Sequence, residues 1–156
     1  MTSPKTLTKE DILSLDDYMA QRAQLRRDIL DLKKPRRIDI GPHATFYFEN
    51  YATMKQQIQE MLYIEKGGDE KLVDALEAYN PMIPQGQELT ATLMFEIDDP
   101  MRRATILRRL PDVELTAYGE VDGEKVYAVP EQEVERTAAD GKTSSVHFLH
   151  FPFPAE

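Results

Sequence analysis

The sequence has 156 residues, a formal net charge of −9 and no cysteine. Its length fits one domain of common size, and the missing cysteine excludes disulfides, thiolate catalysis and cysteine-ligated iron–sulfur clusters within the chain. No apolar run approaches the roughly 20 residues that a membrane-spanning helix needs, and the start lacks the apolar stretch of a secretory signal, so we expect a cytoplasmic protein without a membrane partner.

The charge is unevenly distributed along the chain. Residues 1–50 hold nine Lys or Arg and eight Asp or Glu, whereas residues 51–156 hold ten and twenty. A strongly acidic chain repels nucleic acid, so a nucleic-acid partner is not expected. The basic side chains of the first part concentrate between residues 22 and 37.

The first predicted elements in chain order are helices and a hairpin. Thr8 and Ser14 are typical helix N-caps, and apolar side chains recur at helical spacing after Ser14, with Arg22 interrupting their stripe. Pro35 ends this helix because proline cannot continue the hydrogen-bond ladder. The pattern predicts helices over 9–13 and 15–32 and strands over 36–40 and 44–49.

The remaining sequence alternates between helical and strand patterns. Residues 89–97 give the clearest strand signal, with apolar side chains at every second position. Asp122-Gly123 between two alternating segments predicts a tight hairpin. The predicted helices span 51–65, 69–79 and 100–110, and the strands span 89–97, 113–121, 124–129 and 144–151.

These elements predict an α+β fold, with a mostly antiparallel or mixed sheet of about six strands packed against four or five helices. A single domain over residues 1–156 is expected. The N-terminal helical segment 8–33 is expected to pack on the sheet or on a partner.

Six segments carry a resemblance to a known family. They are Lys33-Lys34-Pro35-Arg36-Arg37, Gly41-Pro42-His43-Ala44-Thr45, residues 54–65 (MKQQIQEMLYIE), 78–84 (AYNPMIP), 91–94 (ATLM) and 144–149 (SSVHFL). In this order, and over nearly the whole chain, they resemble the bacterial family of domain of unknown function 3501. Members that the sequence resembles continue beyond its last residues, 151–156.

The resemblance implies no established activity and no catalytic residues. It does imply that family members are encoded beside rubrerythrin-like and iron–sulfur oxidoreductase proteins. The expectation that follows is an accessory role near redox or oxidative-stress metabolism, with a redox protein as partner. A homodimer is left open.

A polar stripe on the predicted helix 51–65 supplies the candidates for catalysis or ligand binding. Gln56, Glu60 and Tyr63 fall at positions i, i+4 and i+7, on one face. If that face lined a pocket, Glu60 would serve as acid or base and Tyr63 as proton donor, with His43 as a general base. A solvated helix face is the commoner origin of such a stripe, so a small enzyme or ligand-binding domain is the alternative hypothesis.

A small metal site is the third hypothesis. His43 with His147 or His150, and with Glu60 or Asp39 completing the set, would offer the nitrogen and oxygen ligands that zinc takes. Side chains three apart on a strand point to opposite faces, which argues against His147 and His150 sharing one ion. No cofactor is predicted, and a divalent metal is left open.

The basic segment has two interpretations, a docking surface for phosphate, nucleic acid or an acidic protein, or ordinary helix chemistry. Its seven basic residues are Arg22, Arg26, Arg27, Lys33, Lys34, Arg36 and Arg37. Cations favour a helix C-terminus, which supports the structural interpretation. The sequence has no glycine-rich phosphate loop, no G-x-S-x-G and no H-E-x-x-H. A binding or accessory protein therefore ranks first among the three hypotheses.

Overall fold

A computed structural model of the chain describes residues 6–131 and 145–153. Within these residues there are four α-helices and seven strands, and all strand pairs are antiparallel, which confirms the α+β class. The chain divides into two compact units. Unit 1 comprises Met1–Arg36 and Glu49–Gln85, and unit 2 comprises Arg37–Phe48 and Gly86–Glu156. The single domain over 1–156 stays a prediction.

Unit 1 is helical. It contains α1 (Leu15–Lys33), α2 (Tyr51–Glu65) and α3 (Asp69–Tyr79), and the predicted helix 9–13 is a short 3-10 turn, Lys9–Asp11. The predicted bounds of α2 and the predicted end of α3 are confirmed. Among the described residues, none of the helices has the length and apolarity needed to cross a bilayer.

Capping side chains set where the first two helices of unit 1 begin. The Ser14 hydroxyl accepts a hydrogen bond from the Asp17 amide at 3.2 Å at the start of α1. The Asn50 side chain accepts one from the Thr53 amide at 2.9 Å at the start of α2. Both bonds satisfy N–H groups that a helix start otherwise leaves without partners.

The apolar side chains of α1 are less buried than its pattern predicts. Tyr18 is fully buried, but Met19 is 55% exposed and Leu30 is 63% exposed. The core of unit 1 comes mostly from α2 and α3, through residues such as Ile58 and Leu72. Each half of α1 therefore presents an exposed apolar side chain, Met19 in the first half and Leu30 in the second.

Unit 2 is built on a five-stranded sheet and a separate hairpin. The sheet order is β1-β2-β3-β7-β6, and β4 pairs only with β5 in the described residues. The strands are β1 (Arg37–Ile40), β2 (Ala44–Phe48), β3 (Glu88–Phe95), β4 (Tyr118–Val121), β5 (Glu124–Tyr127), β6 (Val129–Pro130) and β7 (Val146–Pro152), and α4 is Pro100–Leu107. Ser144, the predicted start of the last strand, lies outside the described residues.

The sheet buries one apolar cluster, centred on β3 and β7. Its members are Ala91, Leu93, Phe95, Leu107, Ala128, Leu149 and Phe151, and Phe46 packs against it. The opposite face of β3 is buried too, since Thr90 and Thr92 are 1% and 7% exposed. Leu89 lies in β3 as predicted and is 47% exposed near the strand end.

Three predicted boundaries in unit 2 were wrong. The helix 100–110 ends at Leu107, and Asp112 adopts a left-handed conformation with φ of 59°. The start of the predicted strand 113–121 is a 3-10 turn, which the Thr116 hydroxyl closes by donating to the Val113 carbonyl at 2.7 Å. The strand 124–129 breaks at Ala128, because β6 leaves β5 to pair with β7.

The predicted Asp122-Gly123 turn between β4 and β5 is confirmed. Both residues have positive φ, 51° and 83°. This is the backbone that a two-residue hairpin turn requires, and glycine adopts it without steric cost.

Candidate functional site

The polar stripe of α2 faces α1. Arg22 of α1 donates two hydrogen bonds to the Glu60 carboxylate, from Nε to Oε2 at 3.0 Å and from Nη2 to Oε1 at 2.9 Å. The Tyr18 hydroxyl also donates to Glu60, and the Gln56 amide donates to the Tyr18 oxygen at 2.7 Å. We call Tyr18, Arg22, Gln56, Glu60 and Tyr63 the α1–α2 polar cluster.

Tyr63 joins this cluster through its ring. The Arg22 guanidinium carbon lies 4.1 Å from the centre of the Tyr63 ring, which is a cation–π contact. The Tyr18 and Tyr63 rings meet edge to face with their centres 6.2 Å apart. Arg22 thus binds a carboxylate through two of its nitrogens and an aromatic ring over its face.

Electrostatics inside the cluster fix its protonation. The hydrogen bonds from Arg22 outweigh burial and lower the pKa of Glu60. Burial, with help from the hydrogen bond to Glu60, raises the pKa of Tyr18 to about 12. Glu60 is therefore a carboxylate and Tyr18 a neutral phenol at neutral pH. A carboxylate with a lowered pKa and both oxygens hydrogen-bonded is a weak base, so the geometry suits joining two helices better than moving a proton.

His43 lies in the other unit. It occupies the turn between β1 and β2, is half-buried, and its carbonyl accepts a hydrogen bond from the Glu96 amide at 2.8 Å. The hydrogen bonds of the α1–α2 polar cluster all come from residues of unit 1. The predicted combination of His43 with Glu60 and Tyr63 thus spans two units and stays a prediction.

His147 and His150 sit on opposite faces of β7, as strand geometry predicts. His147 is fully buried, with its ring 6.0 Å from that of Phe95 and its Nδ1 3.7 Å from the Glu114 carboxylate. His150 lies between Glu88 and Glu131. In the part of the chain that the structure describes, no group of three or more His, Asp or Glu is arranged to hold a metal ion.

The His150 imidazole has a carboxylate at each ring nitrogen. Its Nδ1 lies 3.0 Å from Glu88 Oε2, and its Nε2 contacts Glu131. Burial lowers the pKa of His150, but the hydrogen bonds to the two glutamates outweigh it and raise the pKa above its ordinary value. Both partners lie far away in sequence, 62 and 19 residues from His150, and no local motif announces them.

The raised pKa of His150 predicts a pH-dependent contribution to stability. This contribution is fully present below the ordinary histidine pKa of about 6.5 and is lost as the pH rises through the higher folded-state value. We expect His150→Gln to destabilise the protein by about 1 kcal/mol more at pH ~6 than at pH ~9, measured by urea unfolding. Glu88→Gln removes one of the two carboxylates. In a protein that carries it, the cost of His150→Gln should differ less between the two pH values. A difference that is constant or grows with pH would contradict the prediction.

Three of the seven basic residues are paired with acidic side chains. Arg22 binds Glu60, Lys34 pairs with Asp31 at 3.2 Å, and Arg37 pairs with Asp39 at 3.1 Å. Arg37 belongs to unit 2, whereas Arg22, Arg26, Arg27, Lys33, Lys34 and Arg36 belong to unit 1. Several of these cations therefore have acidic partners within their own unit.

An open groove of about 540 Å³ lies beside the polar cluster, between α1 and the first half of α2. One wall consists of aliphatic side chains of α1, Leu25, Ile29 and Leu32, which are all half-buried. The other residues that line the groove are Leu13, Gln21, Asp28, Tyr51, Ala52, Lys55, Gln56 and Gln59. The helical spacing of the sequence predicts this apolar stripe of α1 but not the groove that it lines.

Comparison with known proteins places the chain among uncharacterised relatives. Residues 6–156 match the family model described as protein of unknown function (DUF3501). The chain is also similar to a crystal structure of a novel protein of unknown function from Burkholderia pseudomallei K96243, with 38% sequence identity and a TM-score of 0.87. That similarity covers 96% of this chain and 78% of the other. The comparison with curated proteins finds no match.

Proposed function

We propose, for a chain that belongs to the DUF3501 family of proteins of unknown function, a cytoplasmic binding or accessory function in which the α1–α2 groove docks an amphipathic helix of a partner protein. The observation that carries the proposal is the aliphatic wall of α1, which lines an open groove. Amphipathic helices commonly bind in such grooves through apolar anchors at positions i, i+3, i+4 and i+7.

The spacing along α1 supports a helical partner. Residues at alternating steps of three and four form one seam, and they are Leu15, Tyr18, Arg22, Leu25, Ile29 and Leu32. This is the heptad spacing with which helices pack knobs into holes. Tyr18 and Arg22 of the seam are occupied by the polar cluster with α2, whereas Leu25, Ile29 and Leu32 line the groove.

The rim of the groove supports a fixed orientation of that helix. Asp28 of α1 and Lys55 of α2 both line the groove and carry opposite charges. A docked helix would gain from a basic side chain near Asp28 and an acidic one near Lys55, as flanking charges set the orientation of paired helices. A matching partner is therefore apolar on one stripe and bears both signs of charge beside it.

A labelled peptide tests the proposal directly. The probe is a fluorescein-labelled helical peptide of about 20 residues, with leucines at heptad spacing and Lys and Glu beside them. We expect fluorescence anisotropy to detect binding to the native protein. Ile29→Glu should weaken the binding by about tenfold or more, because it places a charge in the aliphatic wall.

Leu30→Glu is the matched control. It makes the same change at the next residue, which is 63% exposed and does not line the groove. The control should leave the affinity within about twofold of the native protein. Absence of peptide binding, or equal losses in the two variants, would contradict helix docking. Binding of a small apolar dye that the peptide does not displace would favour a small-molecule site instead.

The proposed partner is a redox protein. Only the family resemblance supports this choice of partner. A purified rubrerythrin-like protein, immobilised for interferometry, is the appropriate probe. Binding by the native protein that Ile29→Glu abolishes and Leu30→Glu preserves would support a redox partner at the groove. If the rubrerythrin-like protein does not bind, the redox connection is contradicted. The peptide experiment would still test helix docking at the groove.

A further inference from the structure

Among the described residues, the first strand of the sheet in unit 2 is an edge strand. In the described part of the sheet β1 has one neighbour, β2, and all four residues of β1 are exposed. In an antiparallel pair every second residue of an edge strand directs its N–H and C=O away from its neighbour. Such an edge can add a further strand, and proteins normally protect it.

The two sides of β1 differ in polarity. Ile38 lies opposite Phe46 and Ile40 opposite Ala44, so both isoleucines continue the apolar face of the sheet. They are 51% and 52% exposed. The apolar face of the sheet therefore runs out to the β1 edge.

The other side of β1 is charged. Arg37 and Asp39 lie opposite Tyr47 and Thr45. The Arg37 guanidinium bonds to Asp39 at 3.1 Å and lies 5.5 Å from the centre of the Tyr47 ring, and the Thr45 hydroxyl donates to Asp39 at 3.0 Å. One strand of four residues thus carries a positive and a negative side chain two positions apart on one face.

We propose that two copies of this chain associate through antiparallel pairing of their β1 strands, with Ile38 on the two-fold axis. In this register Arg37 lies opposite Asp39 of the second copy, and the same pair repeats on the other side of the axis. Ile38 meets its own counterpart on the apolar face. The interface is isologous, as in most homodimers, and joins the two sheets into one. This association does not depend on the α1–α2 groove.

Charge selects this register over its neighbours. If the apolar faces of the two sheets are to lie on the same side, the two-fold axis must lie between a residue of one strand and the same residue of the other. A shift of the pairing by one residue would set the apolar face of one strand beside the charged face of the other. An axis at Arg37 would set two arginines opposite each other, and an axis at Asp39 would set two aspartates opposite each other. Like charges directly opposite destabilise a strand pair, whereas opposite charges stabilise it.

The opposite edge of the sheet is less suited to pairing. In the described residues β6 consists of Val129 and Pro130 only. Proline has no N–H to donate, and short strands with proline protect an edge. The β1 edge combines twice the length with complementary charge, so it is the edge where a second copy fits.

Analytical ultracentrifugation over protein concentrations from about 10 µM to about 1 mM tests the proposal. Four-residue strands bury less than the roughly 1,200 Å² of a stable complex, so we expect a weak dimer whose fraction rises with concentration. Ile38→Lys should leave only monomer, because it sets two cations opposite each other at the axis. Val121→Lys is the control, since Val121 is 52% exposed on a different strand, and it should dimerise like the native protein.

A charge exchange tests the register itself. Arg37→Asp should raise the dissociation constant by about tenfold, because two attractive pairs become repulsive. The double variant Arg37→Asp with Asp39→Arg should return it to within about threefold of the native value. Circular dichroism checks that each variant is folded. A native protein that stays monomeric, a dimer that survives Ile38→Lys, or a folded double variant without restored association would each overturn the proposal.

Discussion

Glu60→Ala is expected to lower the free energy of unfolding by about 2 kcal/mol. The substitution leaves the Arg22 guanidinium and the Tyr18 hydroxyl without their shared acceptor. Breaking a fully buried ion pair from one side costs about 3 to 5 kcal/mol, whereas an exposed pair contributes less than about 1 kcal/mol. The expected loss lies between these ranges because the Arg22 and Glu60 side chains are half-buried, with 27% and 23% exposure. Urea unfolding followed by circular dichroism measures the change.

Glu65→Ala is the control for this prediction. Glu65 belongs to the same helix, and its contact with Lys71 is a surface ion pair at 4.0 Å. Such pairs contribute less than about 1 kcal/mol, so the control should be close to the native protein. Equal losses of stability in Glu60→Ala and Glu65→Ala would contradict this prediction and would favour the interpretation of the α2 stripe as a solvated helix face.

A double substitution separates the ion pair from the packing around it. Arg22→Met with Glu60→Leu replaces both charges by apolar groups of comparable length. We expect this pair to be less destabilising than Glu60→Ala alone, because it leaves no buried charge without a partner. A cost equal to the sum of the two single substitutions would mean that the two residues do not act together.

Sequence patterns were enough to place the polar stripe but not to find what covers it. Helical spacing puts Gln56, Glu60 and Tyr63 on one face whatever the tertiary structure. Which helix lies on that face depends on the contact between Arg22 and Glu60, which are 38 residues apart along the chain. Arg22 was a usable signal, because it is a cation inside the apolar stripe of α1. Such a cation indicates pairing with the acid in the polar stripe of another helix.

Local signals account for the elements that were predicted well. Helix α2 begins after the Asn50 cap and ends at Glu65, with Lys66 as its C-cap just before Gly67-Gly68, so residues near each end fix its bounds. The partners of His150 were missed for the opposite reason. They depend on how β3, β6 and β7 align in the sheet, and strand register is a non-local property that spacing within one segment does not reveal.

Leu149→Ala is expected to cost about 3 kcal/mol. Leu149 is fully buried in the apolar cluster of unit 2, and removing its side chain leaves a cavity as well as losing apolar burial. Ile58→Ala makes a comparable change at a fully buried position of unit 1. Val121→Ala, at an exposed position, should stay within about 0.5 kcal/mol of the native protein.

Comparing the two core substitutions tests the predicted single domain. If the chain unfolds as one cooperative domain, each substitution lowers the free energy of the same global opening. Native-state hydrogen exchange should then show that Leu149→Ala reduces the protection of the most slowly exchanging amides of α2 as much as those of β3. Ile58→Ala should do the same in the reverse direction. Loss of protection confined to the unit that carries the substitution would instead establish two independent folding units, because each core would then stabilise only its own helices or strands.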